Sequence, residues 1–447
     1  MTCNSHPLRF ILHVKLFHRW KKTFKIQATV ICCHLMGAST LLLADQVEES
    51  SASDRFWTEV WLDLSYERLA NRDLDDRTSD DLSALMPEIG LGVDFQFSEN
   101  IEGYLEILGE GWHVVERERD SELEENEYTL SLTQLYLDVD VDEVVEGLSF
   151  RVGRQGFYDT REWLYVEELD GIRAFYELEN FLVELSASRE RLYREDLFED
   201  DTSDERVNNY ILYGSYQVAE EHLVGAYALV RDDYSEDSDN PRFFGLQASG
   251  TVTDVLDYWL EMAHMRGRDG STPLQGYGFD IGGTYRFKAP LEPSLTLAYA
   301  FGSGDSDLND NVDRQFRQTG LQDNSYRFNG VQDFSYYGET LDPELSNLRI
   351  FTAGLGIRPS QQSSIDLIYH KYQQDVASND FIEGALFLVP PNGESRDVGQ
   401  AIDLVIGYHE FSNVRLRSKF GYFIPGDAFG ASASNTYSLV MGIEYSF

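Results

Sequence analysis

The sequence predicts an all-β fold, a transmembrane antiparallel up-and-down β-barrel of about 18 strands, and three observations predict it. Apolar and polar residues alternate through most of the chain. The connections between the alternating stretches are short on one side and long on the other. No apolar run past residue 44 is long enough to cross a bilayer as a helix. The 447 residues carry 78 Asp and Glu against 36 Lys and Arg, a formal net charge of -42. That balance excludes nucleic acid as a partner bound through a basic surface.

Residues 1–44 are expected to be a signal peptide, because Arg9, Lys15, Arg19, Lys21, Lys22 and Lys25 precede an apolar stretch from Ile26 to Ala44 without one acidic residue. All three cysteines, Cys3, Cys32 and Cys33, fall in this leader. Residues 45–447 then form one barrel domain with no disulfide, which calls for a large core or a closed sheet to supply stability.

Period-two alternation means strand, since successive side chains point to opposite faces. Ile89, Leu91, Val93, Phe95 and Phe97 alternate with Glu88, Gly90, Gly92, Asp94 and Gln96. Tyr277, Phe279, Ile281, Tyr285 and Phe287 alternate with Gly276, Gly278, Asp280, Gly282 and Thr284. The same reading places strands near 55–68, 86–98, 101–117, 126–140, 147–154, 169–179, 180–190, 208–219 and 222–232. It continues with 241–252, 255–267, 273–288, 292–302, 345–358, 361–374, 398–410, 413–424 and 435–447.

Connections after even strands are short, as at 98–100, 179–180, 219–221, 289–291 and 411–412. Those after odd strands are expected to be longer, up to the stretch between Phe301 and Leu345. Short periplasmic turns and long extracellular loops segregate in this way in an outer-membrane barrel, whereas a soluble sandwich has no reason for it. The stretch 303–344 reads equally as an adhesive surface or as a plug folded inward. On the last strand Tyr437, Leu439, Met441, Ile443, Tyr445 and Phe447 share a face. A terminal Phe447 in this pattern resembles the signal read by the bacterial barrel-insertion machinery. Tyr66, Phe97, Tyr104, Tyr176, Tyr285, Phe287, Tyr408 and Tyr422 lie near strand ends and suit the aromatic girdles at the two lipid interfaces.

The charges are sorted along the chain. The outer loops 69–84, 118–126, 191–207 and 232–240 hold 22 acidic and 6 basic residues. They read as a solvated, self-repelling rim, with calcium bridging to lipopolysaccharide as the sharper alternative. Asp305, Asp307, Asn309 and Asp310 have the early spacing of a calcium loop, but the sixth position lacks Gly and the twelfth lacks Glu. No cofactor is called for. Parity turns Arg415, Arg417 and Lys419 inward, away from Leu416 and Phe420, and it turns Arg173 inward together with Glu177. Arg151, Arg286 and Lys288 have the same inward register. These cations either build an anion-selective constriction or pair with lumen carboxylates to satisfy a polar interior. His113, His222, His264, His370 and His409 sit in no hydrolase or metal-ligand motif, so the chain is not read as an enzyme.

The stretch from Arg151 to Arg173, with Gly153-Arg154-Gln155, Asp159-Thr-Arg161-Glu-Trp163 and Leu169-Asp-Gly-Ile-Arg173, resembles the alginate-export family of outer-membrane porins. Further stretches of resemblance run from Phe316 to Asn324, from Tyr337 to Arg349, from Gly354 to Pro359 and from Gly421 to Phe429. The resemblance implies an eighteen-stranded barrel in the bacterial outer membrane whose arginine-lined lumen passes acidic polysaccharide. On it, Arg154, Arg161, Arg173, Arg349 and Arg358 join the pore constriction beside Arg151, Arg415, Arg417 and Lys419. Guanidinium stays charged and offers a planar donor fork to carboxylate, so a ladder of weak sites would let a polyuronate hop through. Expected partners are outer-membrane lipid and lipopolysaccharide, and an anionic polysaccharide such as alginate, exported or imported. The alternative is a barrel serving as general porin, adhesin or enzyme scaffold.

Overall fold

The computed structural model describes residues 56–447 except 79, 117–125, 193–195, 198–205 and 236–237. The expected leader lies outside the described residues. Eighteen antiparallel strands form one closed sheet: β1 (Phe56–Ala70), β2 (Leu82–Ser98), β3 (Ile101–Glu116), β4 (Glu127–Asp140), β5 (Leu148–Tyr158), β6 (Val166–Leu178), β7 (Phe181–Arg189), β8 (Val207–Ala219), β9 (His222–Asp233), β10 (Asp239–Val252), β11 (Leu256–Asp269), β12 (Thr272–Arg286), β13 (Ser294–Gly302), β16 (Leu348–Ser360), β17 (Ser363–Gln374), β18 (Asp397–Phe411), β19 (Val414–Pro425) and β20 (Thr436–Ser446). The remaining two, β14 (Ser325–Tyr326) and β15 (Phe334–Ser335), pair only with each other. Each predicted strand corresponds to one strand of the barrel.

Closure comes from β1, which pairs with both β2 and β20. Beyond the ladder, Val60 and Phe447 exchange both backbone hydrogen bonds, at 3.1 and 3.0 Å. A closed sheet leaves no edge, so no row of backbone N–H and C=O groups faces lipid unpaired. The outer face is the apolar one. Leu62, Leu64, Ile89, Leu91, Leu137, Ile172, Leu246, Ile281, Leu355, Leu367, Ile402 and Ile443 are all exposed, as lipid-facing residues of a barrel must be. Their strand neighbours Asp63, Ser65, Glu106, Glu184, Glu261, Asp280 and Asp403 are buried on the inside.

Two expectations are corrected at this level. Tyr104 is not a girdle residue, because its register opposite Asp94 turns it into the lumen, where its hydroxyl donates to Glu106 at 2.9 Å. The loops after odd strands are not all long. Only residues 270–271 join β11 to β12, so the extracellular rim is lowest there.

The long 303–347 connection resolves the two readings left open: it folds inward. Phe316, Leu321, Phe334, Tyr336, Tyr337, Leu341 and Leu345 are buried in one cluster with inward residues of β8 to β18. The wall makes room with inward-facing glycines. A Cβ on Gly278 would come within 2.5 Å of the Phe316 ring, one on Gly407 within 2.7 Å of Val331, and one on Gly421 within 2.2 Å of Thr340. A second inward element, residues 159–165, packs against the plug. Its Asp159 carboxylate accepts from the backbone N–H of Leu164 and Tyr165 at 2.8 and 2.9 Å, which folds the turn.

Candidate functional site in the lumen

Burial in a low-dielectric interior forces charged groups to pair, and most of the nine predicted cations show it. Arg151 grips Asp138 through Nε and Nη2 at 2.7 and 2.9 Å, over the Tyr136 ring. Arg173 holds Glu184 on β7 the same way, at 2.8 and 2.7 Å. Arg415 pairs with Glu444, Arg417 with Asp63 at 2.8 Å, and Lys419 with Glu339 of the plug at 3.4 Å. Arg154 follows Gly153 (φ 131), at the point where the β4–β5 ladder stops. It lies buried in the wall, doubly bonded to Asp170 at 2.9 Å.

Arg161, on the inward turn 159–165, is buried against the plug. Its guanidinium lies 4.3 Å from the ring centres of both Trp259 and Tyr336, and its Nη2 donates to Asp280 at 3.2 Å. Asp280 also accepts from Trp259 Nε1 at 2.8 Å and from the Tyr337 hydroxyl at 3.1 Å. Trp163 Nε1 in turn donates to the Tyr337 hydroxyl at 3.0 Å. Thus Asp280 on β12 fastens one side of the plug.

Asp403 on β18 fastens the other side. It accepts from the backbone N–H of Glu339 at 3.1 Å and lies 3.2 Å from His370 Nε2, both side chains being fully buried. The Ser438 hydroxyl donates to the Glu339 carbonyl at 3.2 Å, and the Tyr372 hydroxyl to that of Tyr337 at 2.8 Å. Residues 336–340 therefore span the lumen between β12 and the β17–β20 wall. Gln318 and Asn324 exchange side-chain hydrogen bonds at 2.8 and 3.0 Å, and Gln318 also donates to the Trp163 carbonyl at 3.0 Å. The sequence motifs around Arg161, Phe316 and Tyr337 meet here as the suspension of the plug.

The last two predicted cations sit apart. Arg349 has the outward register of Phe351 and Leu355, near the extracellular end, and donates to Asp375 at 2.6 Å. Strand parity alone would have put it outside. Arg358, at the periplasmic end of β16, donates to the Gln361 carbonyl, and its charge stabilises the Asp366 carboxylate on the neighbouring strand.

Sequence reasoning missed Arg327. This plug residue lies near His409 on the inner face, together with Arg415 and Arg417. It is 38% exposed and its nearest carboxylate, Asp333, is 4.0 Å away. An inward-folded loop leaves no periodicity to read, so no strand signal could have found it. Across β20 the inner face turns acidic, with Glu59, Asp94 and Glu102 close together on β1 to β3. Among the described residues no group of three or more His, Cys, Asp or Glu is arranged to hold a metal ion.

Comparison with known proteins follows the same lines. The profile of the family described as alginate export matches residues 59–442. The alginate production protein AlgE of Pseudomonas aeruginosa is 25% identical over 307 residues, covering 56% of this chain and 60% of that protein. AlgE of Azotobacter vinelandii is 26% identical over 157 residues, 30% of this chain and 32% of that protein. The chain thus matches less than two thirds of the length of either relative. Among solved structures, Pseudomonas aeruginosa OccK11 superposes with a TM-score of 0.56 at 14% identity, over 91% of this chain and 99% of that one, which speaks to the fold alone.

Proposed function

The chain belongs to the alginate-export family of outer-membrane proteins, and from that premise we propose that it is a passive pore for an acidic polysaccharide or oligosaccharide such as alginate. The observation that carries the reading within the lumen is the gathering of Arg327, Arg415 and Arg417 near His409 on the inner face. A uronate carboxylate competes with the wall carboxylates for these guanidinium N–H groups, and it leaves again because those carboxylates take its place. Arg151, Arg154, Arg161, Arg173, Arg349 and Lys419 then act by holding the wall and plug in shape.

Ion selectivity in planar bilayers tests this. The wild-type pore should prefer anions, and the combined Arg327→Ala, Arg358→Ala variant should lose most of that preference while still shifting its electrophoretic mobility on heating. A cation-selective wild type, or a double variant with unchanged selectivity, overturns the arginine-arc reading. A second reading, a general porin with a charge-balanced lumen, is favoured by the carboxylate pairing of Arg151, Arg154, Arg161, Arg173, Arg415, Arg417 and Lys419. Block of the ion current by uronate oligomers at concentrations where neutral oligomers do nothing separates the two.

The remaining assignments are part of the same proposal. Residues 1–44 direct export, Phe447 presents the insertion signal, and the acidic outer loops form a solvated, self-repelling rim, with calcium bridging to lipopolysaccharide as the alternative.

A further inference from the structure

The outer face carries an unexpected group of cations. On β10, Arg242 has the outward register of Phe244 and Leu246, both exposed, and lies opposite Phe243, which is buried inside. On β11, Arg266 follows Met262 and His264 on the outward register, and Arg268 is exposed two residues further on. Arg242 and Arg266 stand directly opposite each other across the ladder. Like charges placed so repel, and a pair of this kind is destabilising unless an anion lies between them. Neither Arg242, Arg266 nor Arg268 has a carboxylate partner among the described residues, and the one hydrogen bond here runs from Arg266 Nε to His264 Nε2 at 2.8 Å. The contrast with nearby outward cations is direct. Arg349 is held by Asp375 and Lys371 by Asp397.

Location says what could supply the missing charge. All three arginines lie at the extracellular ends of their strands, just above the apolar residues Leu246, Met262 and Ile281 that meet the acyl chains. This is also the arc where the rim is lowest, since β11 and β12 are joined by two residues only. No long acidic loop rises from that hairpin to repel an anion approaching along the membrane surface. The aromatic Tyr277 lies beside His264 and is exposed at the same level.

We propose that the outer face of β10 and β11 binds a phosphate group of a bisphosphorylated outer-leaflet glycolipid, the lipid A moiety of lipopolysaccharide. Arg242, Arg266 and Arg268 clasp the phosphate while the acyl chains lie along Phe244, Leu246 and Met262. Arginine suits the task because its planar fork matches phosphate oxygens in bidentate fashion. The site is separate from the lumen and from the calcium bridging read for the acidic loops.

The test uses the full chain in lipid nanodiscs, with bisphosphorylated lipid A as probe and bound lipid counted by native mass spectrometry. Each arginine near a charged interface strengthens binding by about fivefold, so the triple Arg242→Gln, Arg266→Gln, Arg268→Gln variant should bind on the order of a hundredfold more weakly. The Arg266→Lys variant should keep most of the binding, and dephosphorylated lipid A should bind the wild type as poorly as the triple variant binds the intact lipid. Undiminished binding by the triple variant overturns the proposal, as does equal competition by phosphatidylglycerol, which would mark a diffuse charge effect. Should the triple variant fail to shift on heating, Arg242→Gln and Arg268→Gln measured singly must each lose about fivefold. Ion selectivity should be the same in all these variants, so this site can fail without the pore reading failing, and the reverse.

Discussion

Arg161 and Arg266 are arginines of one barrel with opposite circumstances. Arg161, 6% exposed, has a carboxylate at 3.2 Å and an aromatic ring on each side. Arg266, exposed on the outer face, has only a histidine and faces another arginine. Inside, a charge that is not matched costs several kcal/mol, so its partner is built into the fold and the charge serves as a fastening. At the outer interface an arginine can keep its head in water and wait for a ligand. The comparison teaches that committed cations mark architecture here, while the uncommitted Arg242, Arg266 and Arg268 on the outer face mark where a ligand is met.

The strongest way to break this contrast is to remove Asp280. Asp280→Ala strands the buried guanidinium of Arg161 and frees one side of the plug, at a cost of about 3–5 kcal/mol. The urea unfolding midpoint in detergent should fall and the single-channel conductance should rise. An unchanged midpoint would show that the pair fastens nothing. A milder case is Glu339→Gln, which discharges the partner of Lys419 but keeps an acceptor for the backbone N–H of Ser335, 2.9 Å away. Its expected cost is about 2 kcal/mol by the same unfolding assay. Losing less than the Asp280 variant would rank the two fastenings. At the rim, Arg349→Ala breaks a pair whose arginine is 39% exposed. Such pairs contribute about 0–1 kcal/mol, so the midpoint should hardly move. A large loss would erase the distinction between buried and rim pairs.

The smallest effect concerns a carboxylate. Asp80, in the loop between β1 and β2, is pushed up to about 6, first by burial and then by the neighbouring Asp73. A folded value above the unfolded one means that the folded loop binds the proton more tightly. The stabilisation is therefore full below the ordinary value near 3.8 and is lost as pH rises through about 6. The thermal midpoint difference between Asp80→Asn and wild type should accordingly grow between pH 4 and pH 7 in favour of the variant. A difference that does not change with pH would count against a raised value.

The wall was legible in the sequence because its rule is local. Ile89 to Phe97 alternates, and each of those residues takes the face that alternation assigns. The inward turn of Arg173, Arg415 and Arg417 followed from the same rule. Their partners did not, because Glu184, Glu444 and Asp63 lie on neighbouring strands, and Asp63 is separated from Arg417 by most of the chain. The plug was beyond periodicity altogether. Its position depends on Asp280 and Asp403, over 100 residues apart, and on spaces left at Gly278, Gly407 and Gly421. Those inward glycines were the available signal, since a wall residue with no side chain on the packed face means that something else fills the place. Arg349 shows the reverse lesson: motif resemblance put it in the lumen, while its own register with Phe351 put it outside.

The seam between β1 and β20 has a consequence for how such a chain assembles. Most rungs of the barrel join strands that follow each other in sequence, so their hairpins can zip as they emerge. The seam pairs Trp61 with Ser446 and must bridge nearly the whole chain. Loop closure over such a span is the slow, entropically dear event of the pathway. Until it occurs, β1 and β20 each present a bare pairing edge, so an unfinished barrel is adhesive and needs a host that occupies the open edge. The two backbone bonds between Val60 and Phe447 sit beside that seam and help latch it shut.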